Sequence, residues 1–323
     1  MRSAALSAAD AEAFASAPAP KRPVRWHILV FLAPAASIYT VVMLLPLVES
    51  LWLSFFTTGG DRSVVFSGFG NYARLLLDPA WAKFFWNALK NNLIFFAINM
   101  AVQNPIGILL AALLSLPKLG GRGFYRTAFF LPTMLSFVIV GFVWRLLLSP
   151  TWGVAKSFLS FFGLGAWFEP WLGQSSTALI TLSLISVWQF VGIPMMLVHA
   201  ALLIIPDELI EAAESEGIVG FAQFFKVKLP LIWPSIGIVS MLTFVGNFNA
   251  FDLVFISQGS NAGPDYSTDL LGTLLYRSYF GAGTQIGDPY MGATVAGVMF
   301  AIIFGGVALY LITIQRRIAY YSF

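Results

Sequence analysis

The sequence predicts an all-α membrane protein with six transmembrane helices, and three observations carry that prediction. Six apolar stretches, at about 28–48, 92–114, 128–148, 178–204, 236–256 and 290–314, each approach the ~20 residues that a helix needs to cross a bilayer. The chain is 58% hydrophobic and only 10% charged, whereas a soluble domain carries roughly 25% charged residues. Mean hydropathy is +0.81.

Composition also excludes chemistries. Cysteine is absent, so there is no disulfide framework, thiolate metal site or cysteine nucleophile. With two histidines, His27 and His199, a multi-histidine metal centre is excluded. A net charge of +3 is no footprint for nucleic acid, because the cations flank apolar segments.

In chain order, residues 1–25 are rich in Ala, Ser and Pro and have little to bury. They are expected to form a disordered cytoplasmic tail, with the membrane domain at 26–323. The first apolar run follows Lys21, Arg22 and Arg25. It is longer than a signal-peptide core and lacks a cleavage site, so it reads as a retained span. Pro34, Pro46, Pro105 and Pro194 sit in or near the spans, where neighbouring groups must satisfy the freed backbone.

Residues 49–90 are aromatic, with Trp52, Trp81, Phe84, Phe85 and Trp86, and predict an interfacial helix around 79–90. Residues 149–176, with Trp152, Trp167 and Trp171, read similarly. Residues 257–289 are polar and glycine-rich, a loop able to meet a soluble partner. If the N-terminus is inside, 11 of the 18 lysines and arginines fall on inside segments and the other 7, Arg145 and Arg277 among them, on outside segments. The bias places residues 206–234 and both termini in the cytoplasm.

Residues 206–234 read as helix, break, helix. Pro206 pre-sets a helical start, and Asp207 and Glu208 put negative charge near its positive end. Leu209, Ala212 and Ala213 form one apolar stripe, and Phe221, Phe224, Phe225 and Leu229 another. Gly217 offers a stop between them. A loop packed on its own chain and a loop docked on a partner both fit this pattern.

The residues Glu211-Ala212-Ala213, then Gly217, then Val227-Lys228-Leu229-Pro230 resemble the EAA loop of ABC importer permeases. Two departures are Val227 for the commoner isoleucine and Glu216-Gly217-Ile218 for Asp-Gly-Ala. Gly123-Phe124-Tyr125-Arg126, Phe130-Leu131-Pro132 and the stretch from Phe244 to Asp252 are similar to the binding-protein-dependent sugar branch, the maltose and glycerol-phosphate type. The match runs from about residue 25 to the end, without the extra N-terminal helices and large periplasmic insertion of the maltose subunit.

The resemblance implies a type I importer permease fold with a cytoplasmic EAA coupling loop, in a bacterial inner membrane. It implies two ATP-binding subunits, a second non-identical permease and an extracytoplasmic (periplasmic) solute-binding protein. Glu211, Ala212, Ala213, Gly217, Leu229 and Pro230 would face the ATPase. The sequence has no G-x-x-x-x-G-K-[ST] phosphate loop. No enzymatic activity or cofactor is therefore expected in this chain, and ATP and magnesium would sit on the partner.

The substrate expectation is a sugar or sugar derivative. Asn247, Asn249 and Asp252 lie in an apolar run beside Phe244, Phe248 and Phe251. Amides and aromatic rings suit hydroxyls and the C–H faces of a sugar ring. The alternative for the asparagines is bonding between packed helices. In the family's pocket a glycine stands where this chain has Gly192 and an aromatic where it has Met195. Gln189 faces either the path or a neighbouring helix, and His199 reads as packing before proton relay. Competing classes are a secondary transporter, which would want more intramembrane titratable groups, and an intramembrane enzyme, which would want a carboxylate cluster or metal ligands. Within the ABC class, amino-acid permeases are the runner-up.

Overall fold

The computed structural model describes residues 26–61, 63–116, 119–283 and 285–315. The expected disordered tail, and the cations Lys118, Arg316 and Arg317, lie outside them.

Helix α1 (Trp26–Tyr39) passes through a widened turn at Thr40–Leu44 into α2 (Leu45–Leu53). The described residues up to Glu49 form a unit of their own. The apolar window in Val30–Leu53 has none of its residues buried. That suits a bilayer, where exposed Leu and Val cost nothing.

The second unit, Ser50–Phe323, holds the rest. Strands β1 (Phe56–Thr58) and β2 (Val64–Phe66) pair antiparallel, a hairpin that an all-α reading did not foresee. Asn71 pins it, donating from Nδ2 to the carbonyls of Ser54 and Phe56. Helix α3 (Gly70–Leu77) follows.

Helix α4 (Pro79–Leu114) corrects two expectations at once, because the expected interfacial helix at 79–90 and the expected span at 92–114 are one 36-residue helix. Asp78 caps it, accepting from the Ala80 amide at 3.0 Å, and Pro79 occupies the first turn, where no N–H is needed. Nothing breaks it at Asn91-Asn92, because their amides find partners in other elements. Asn91 donates to the Asp269 carbonyl, while Asn92 donates to the Asn247 carbonyl and accepts from the Leu271 amide.

Helix α5 (Arg122–Phe130) and α6 (Phe137–Leu147) replace the expected straight span at 128–148. They meet at 97°, across a 3-10 turn containing Pro132. Ser136 caps α6 by accepting from the Ile139 amide. Helix α7 (Ala155–Phe161) is short and exposed. Helices α8 (Ala178–Phe190) and α9 (Gly192–Leu203) fill the expected span at 178–204, bent by 40°. Helix α9 lies close on the second half of α4: a Cβ on Gly107 would come within 2.7 Å of Pro194 Cγ.

Helices α10 (Asp207–Ser215) and α11 (Gly220–Leu231) lead to α12 (Trp233–Phe248), which meets α11 at 71°. The expected span at 236–256 is also corrected, since α12 ends at Phe248 and α13 (Asp252–Gln258) starts afresh. Asn247 and Asn249 turn their amides back onto the carbonyls of Thr243 and Val245. Such local bonding competes with the helix ladder.

The expected polar loop at 257–289 is largely packed. Helix α14 (Leu271–Phe280) runs through it, with Leu271, Leu274 and Arg277 fully buried. Helix α15 (Pro289–Thr313) closes the unit. Among the described residues, three helices can cross a membrane by length and composition, or up to six if each bent pair is one span.

Three of the four widened turns among the described residues share a pattern, and the fourth, Leu311–Gln315, does not. Those at Thr40–Leu44, Asn99–Gln103 and Phe224–Lys228 each end two residues before a proline, namely Pro46, Pro105 and Pro230. A proline lacks the N–H for its own i−4 bond and its ring crowds that carbonyl. The preceding turn absorbs the fault by bonding i to i+5, as Asn104 N–H does to Asn99 O.

Candidate functional site

The two helix breaks, at Val191 and at Asn249–Phe251, come together around a cavity of about 340 Å³. Helix α4 contributes Phe95 and Gln103, α6 Phe137, α8 Ser186 and Phe190, and α12 Thr243 and Asn247. The break itself contributes Asn249 and Phe251, and α13 opens into the cavity with Asp252. Irregular backbone at this depth is tolerated where it lines a cavity.

The polar groups are held. Thr243 Oγ1 donates to Asn104 Oδ1 at 3.0 Å, and Ser186 Oγ to Asn99 Oδ1 at 3.3 Å. Both asparagines flank Gln103, so the widened turn Asn99–Gln103 is tied to α8 on one side and α12 on the other. Asn247 Nδ2 donates to Thr243 O at 2.6 Å, whereas Asn247 Oδ1 is buried with no partner. A buried acceptor left open costs about 1–3 kcal/mol, which a ligand hydroxyl would recover. Phe95, Phe137, Phe190 and Phe251 supply ring faces. Amides, hydroxyls, ring faces and the Asp252 carboxylate suit binding of a polar, hydroxyl-bearing solute.

Of the residues expected here, Asn247, Asn249 and Asp252 line the cavity. Gln189 is buried behind it, donating to the Leu135 carbonyl at 3.1 Å. Gly192 sits at the bend, where a Cβ would meet Phe129 O at 2.7 Å. Met195 is fully buried in the core between α4 and α9. Phe244 and Phe248 point the other way and pack on Phe96, at 5.6 and 6.0 Å between ring centres. Gln103, Ser186 and Thr243 were not foreseen. The signal was present, because Asn92, Asn99 and Gln103 fall on one helical face within an apolar run.

Comparison with known proteins gives the family and the fold. No protein-family model matches the chain. YurN of Bacillus subtilis, a probable ABC transporter permease protein, is 33% identical over 254 residues, covering 78% of this chain and 84% of that protein. The chain belongs to the ABC transporter permease family. The lactose transport system permease protein LacF of Rhizobium radiobacter is 32% identical over 253 residues, 78% of this permease and 82% of that one. AmyD of Thermoanaerobacterium thermosulfurigenes, a probable starch degradation products transport system permease protein, is 28% identical over 279 residues, covering 86% of this permease and 90% of that one. Among solved structures, a chain of a bacterial alginate ABC transporter, crystallised with an alginate pentasaccharide-bound periplasmic protein, superposes with a TM-score of 0.74. It is 25% identical and covers 91% of this permease and 95% of that chain. The relatives are transport permeases, and the fold is that of an importer permease.

The second group of expected residues forms an elbow on this permease. Ile218 N–H bonds Ala213 O and Gly217 N–H bonds Glu214 O, a helix stop that requires the Gly217 φ of +77°. Gln223 Nε2 reaches Glu214 Oε1 across the bend at 3.3 Å. Glu211, Ala212, Gly217 and Pro230 are exposed, Leu229 is half-buried and Ala213 is buried. Leu209, Val219, Phe221 and Phe225 stand in the open, Phe221 with 82% of its surface accessible.

Proposed function

We propose that this chain is the membrane-spanning subunit of an ATP-driven importer for a sugar or sugar derivative delivered by an extracytoplasmic binding protein. The cavity at the two helix breaks carries the reading, with its open Asn247 acceptor, the Gln103, Asn249 and Ser186 side chains and four phenyl rings. The names of LacF and AmyD, and the saccharide-loaded periplasmic protein seen with the alginate transporter, support the same substrate class and the same delivery.

The elbow from Asp207 to Leu231 is then the coupling loop. Its exposed Phe221, Phe225 and Val219 cost solubility unless a partner covers them, which favours docking over self-packing. Glu211, Ala212, Ala213, Gly217, Leu229 and Pro230 belong to that contact. Two ATP-binding subunits carry ATP and magnesium, and a second, non-identical permease completes the path. The chain sits in the bacterial inner membrane with both termini in the cytoplasm. Arg277 is buried in an ion pair and is no flanking charge, so removing it from the outside set sharpens the cationic bias toward the inside.

The test is uptake. The complex captured through a tag on this chain is placed in proteoliposomes with its binding protein and labelled oligosaccharides. Accumulation that requires internal ATP supports the reading. Accumulation that follows a proton gradient and ignores ATP contradicts it.

A further inference from the structure

Near the C-terminal end of α6, Arg145 is exposed beside Phe142, Val143 and Leu146, which are 64%, 41% and 46% accessible. Among the described residues the one ion pair is Arg277–Asp269, so Arg145 has no carboxylate partner there. A guanidinium beside bilayer-facing apolar residues is costly unless it reaches water or a phosphate.

Arg145 opens onto a pocket of about 490 Å³ that also holds Ser149, Ser257 and Gln258. Ser257 is 5% exposed, and its Oγ is buried without a partner. Gln258 Nε2 is spent on the Leu172 carbonyl, which fixes that side chain on the pocket wall. A second groove of about 430 Å³ abuts the first. Both share Leu148, and the consecutive residues Trp171 and Leu172 wall one each. The second groove is apolar, lined by Trp144, Ile180 and Leu184, and the last two are each 49% accessible.

We propose that the two form one site for an anionic phospholipid. The phosphate lies against Arg145, its oxygens accept from the Arg145 fork at the mouth of the pocket walled by Ser257 and Gln258, and an acyl chain runs along Trp144, Ile180 and Leu184. Charge complementarity selects the phosphate. The apolar groove selects a lipid over a free anion or a saccharide, neither of which has a use for it. Trp144 and Trp171 suit the headgroup level.

The test uses the full-length chain, delipidated in detergent and titrated with phosphatidylglycerol or phosphatidylcholine, with bound lipid counted by native mass spectrometry. Phosphatidylglycerol binding should weaken about tenfold in Arg145→Gln, the loss of one charge-assisted contact. It should recover in part in Arg145→Lys, which restores the charge without the fork, and stay unchanged in Arg74→Gln, an exposed arginine elsewhere. Brominated phosphatidylglycerol should quench fluorescence that Trp144→Phe removes, in protein that elutes normally by size exclusion. Equal binding by Arg145→Gln, equal binding of phosphatidylcholine, competition by inorganic phosphate alone, or an assembled transporter with protein side chains filling the groove overturns the proposal.

Discussion

Arg277 shows how much one side chain holds. Its Nε donates to Gln285 Oε1 at 2.8 Å and its Nη1 to Asp269 Oδ1 at 3.2 Å, and Thr273 Oγ1 donates to the same carboxylate at 2.7 Å. The guanidinium also lies over the Tyr266 ring, 4.8 Å from its centre. Both charged side chains are inaccessible. Burial pushes the Asp269 carboxyl above its usual range, against Arg277 and Thr273, which favour the carboxylate. Removing one partner strands the other, at about 3–5 kcal/mol, whereas apolar replacement of both is far milder. Arg277→Met should therefore lower thermal stability in detergent by many degrees, and Asp269→Leu/Arg277→Met should restore most of it. A double variant as unstable as the single would contradict this account. Asn247 works the other way. Asn247→Ala removes an unpartnered acceptor together with one bond to Thr243, so stability should change by only about 1 kcal/mol. Uptake should nevertheless fall at least about tenfold with basal ATPase activity intact, and unchanged uptake would remove Asn247 from the site. The sequence made Asn247 visible, since amides in apolar runs demand a reason. It did not make Arg277 visible, because a cation in a polar-looking loop carries no mark of being buried.

At the scale of elements, the elbow was the most legible part of the chain. Its start and its stop are written in local letters, with acids in the first turn and a glycine at the left-handed position. Gly217→Pro cannot adopt φ +77° and loses the amide bonded to Glu214. It should uncouple ATP hydrolysis from uptake while the complex still assembles, read as hydrolysis persisting without accumulation. The broken spans were illegible for the opposite reason. Hydropathy counts apolar residues and is blind to direction, so 128–148 and 236–256 each looked straight. The breaks depend on Pro132 and on amides bending back to their own backbone. The orientation of Phe244 and Phe248 was equally hidden, because one apolar helix face resembles another until α4 and α15 are packed against it.

For the whole molecule, orientation is the property most open to a clean test, because the chain has no cysteine of its own. Single cysteines at exposed positions in Thr151→Cys and Glu216→Cys should react oppositely with an impermeant maleimide. The first should label from outside in intact cells and the second only after permeabilisation. Both labelling from one side would overturn the topology. The widened turns also act on the entire chain. Each stows one surplus residue inside a helix, so everything downstream is shifted in phase against the pattern upstream. Excising a single residue between Asn99 and Gln103 would remove that surplus and let an ordinary turn close with the segment beyond nearly in place, although Pro105 would then crowd it. A residue added to the regular helix after Ile108 has no such slack and would swing everything beyond it through about 100°, for a lengthening of only about 1.5 Å. The widened turns thus work as clutch plates for rotational register, and length can be nearly conserved while alignment is lost.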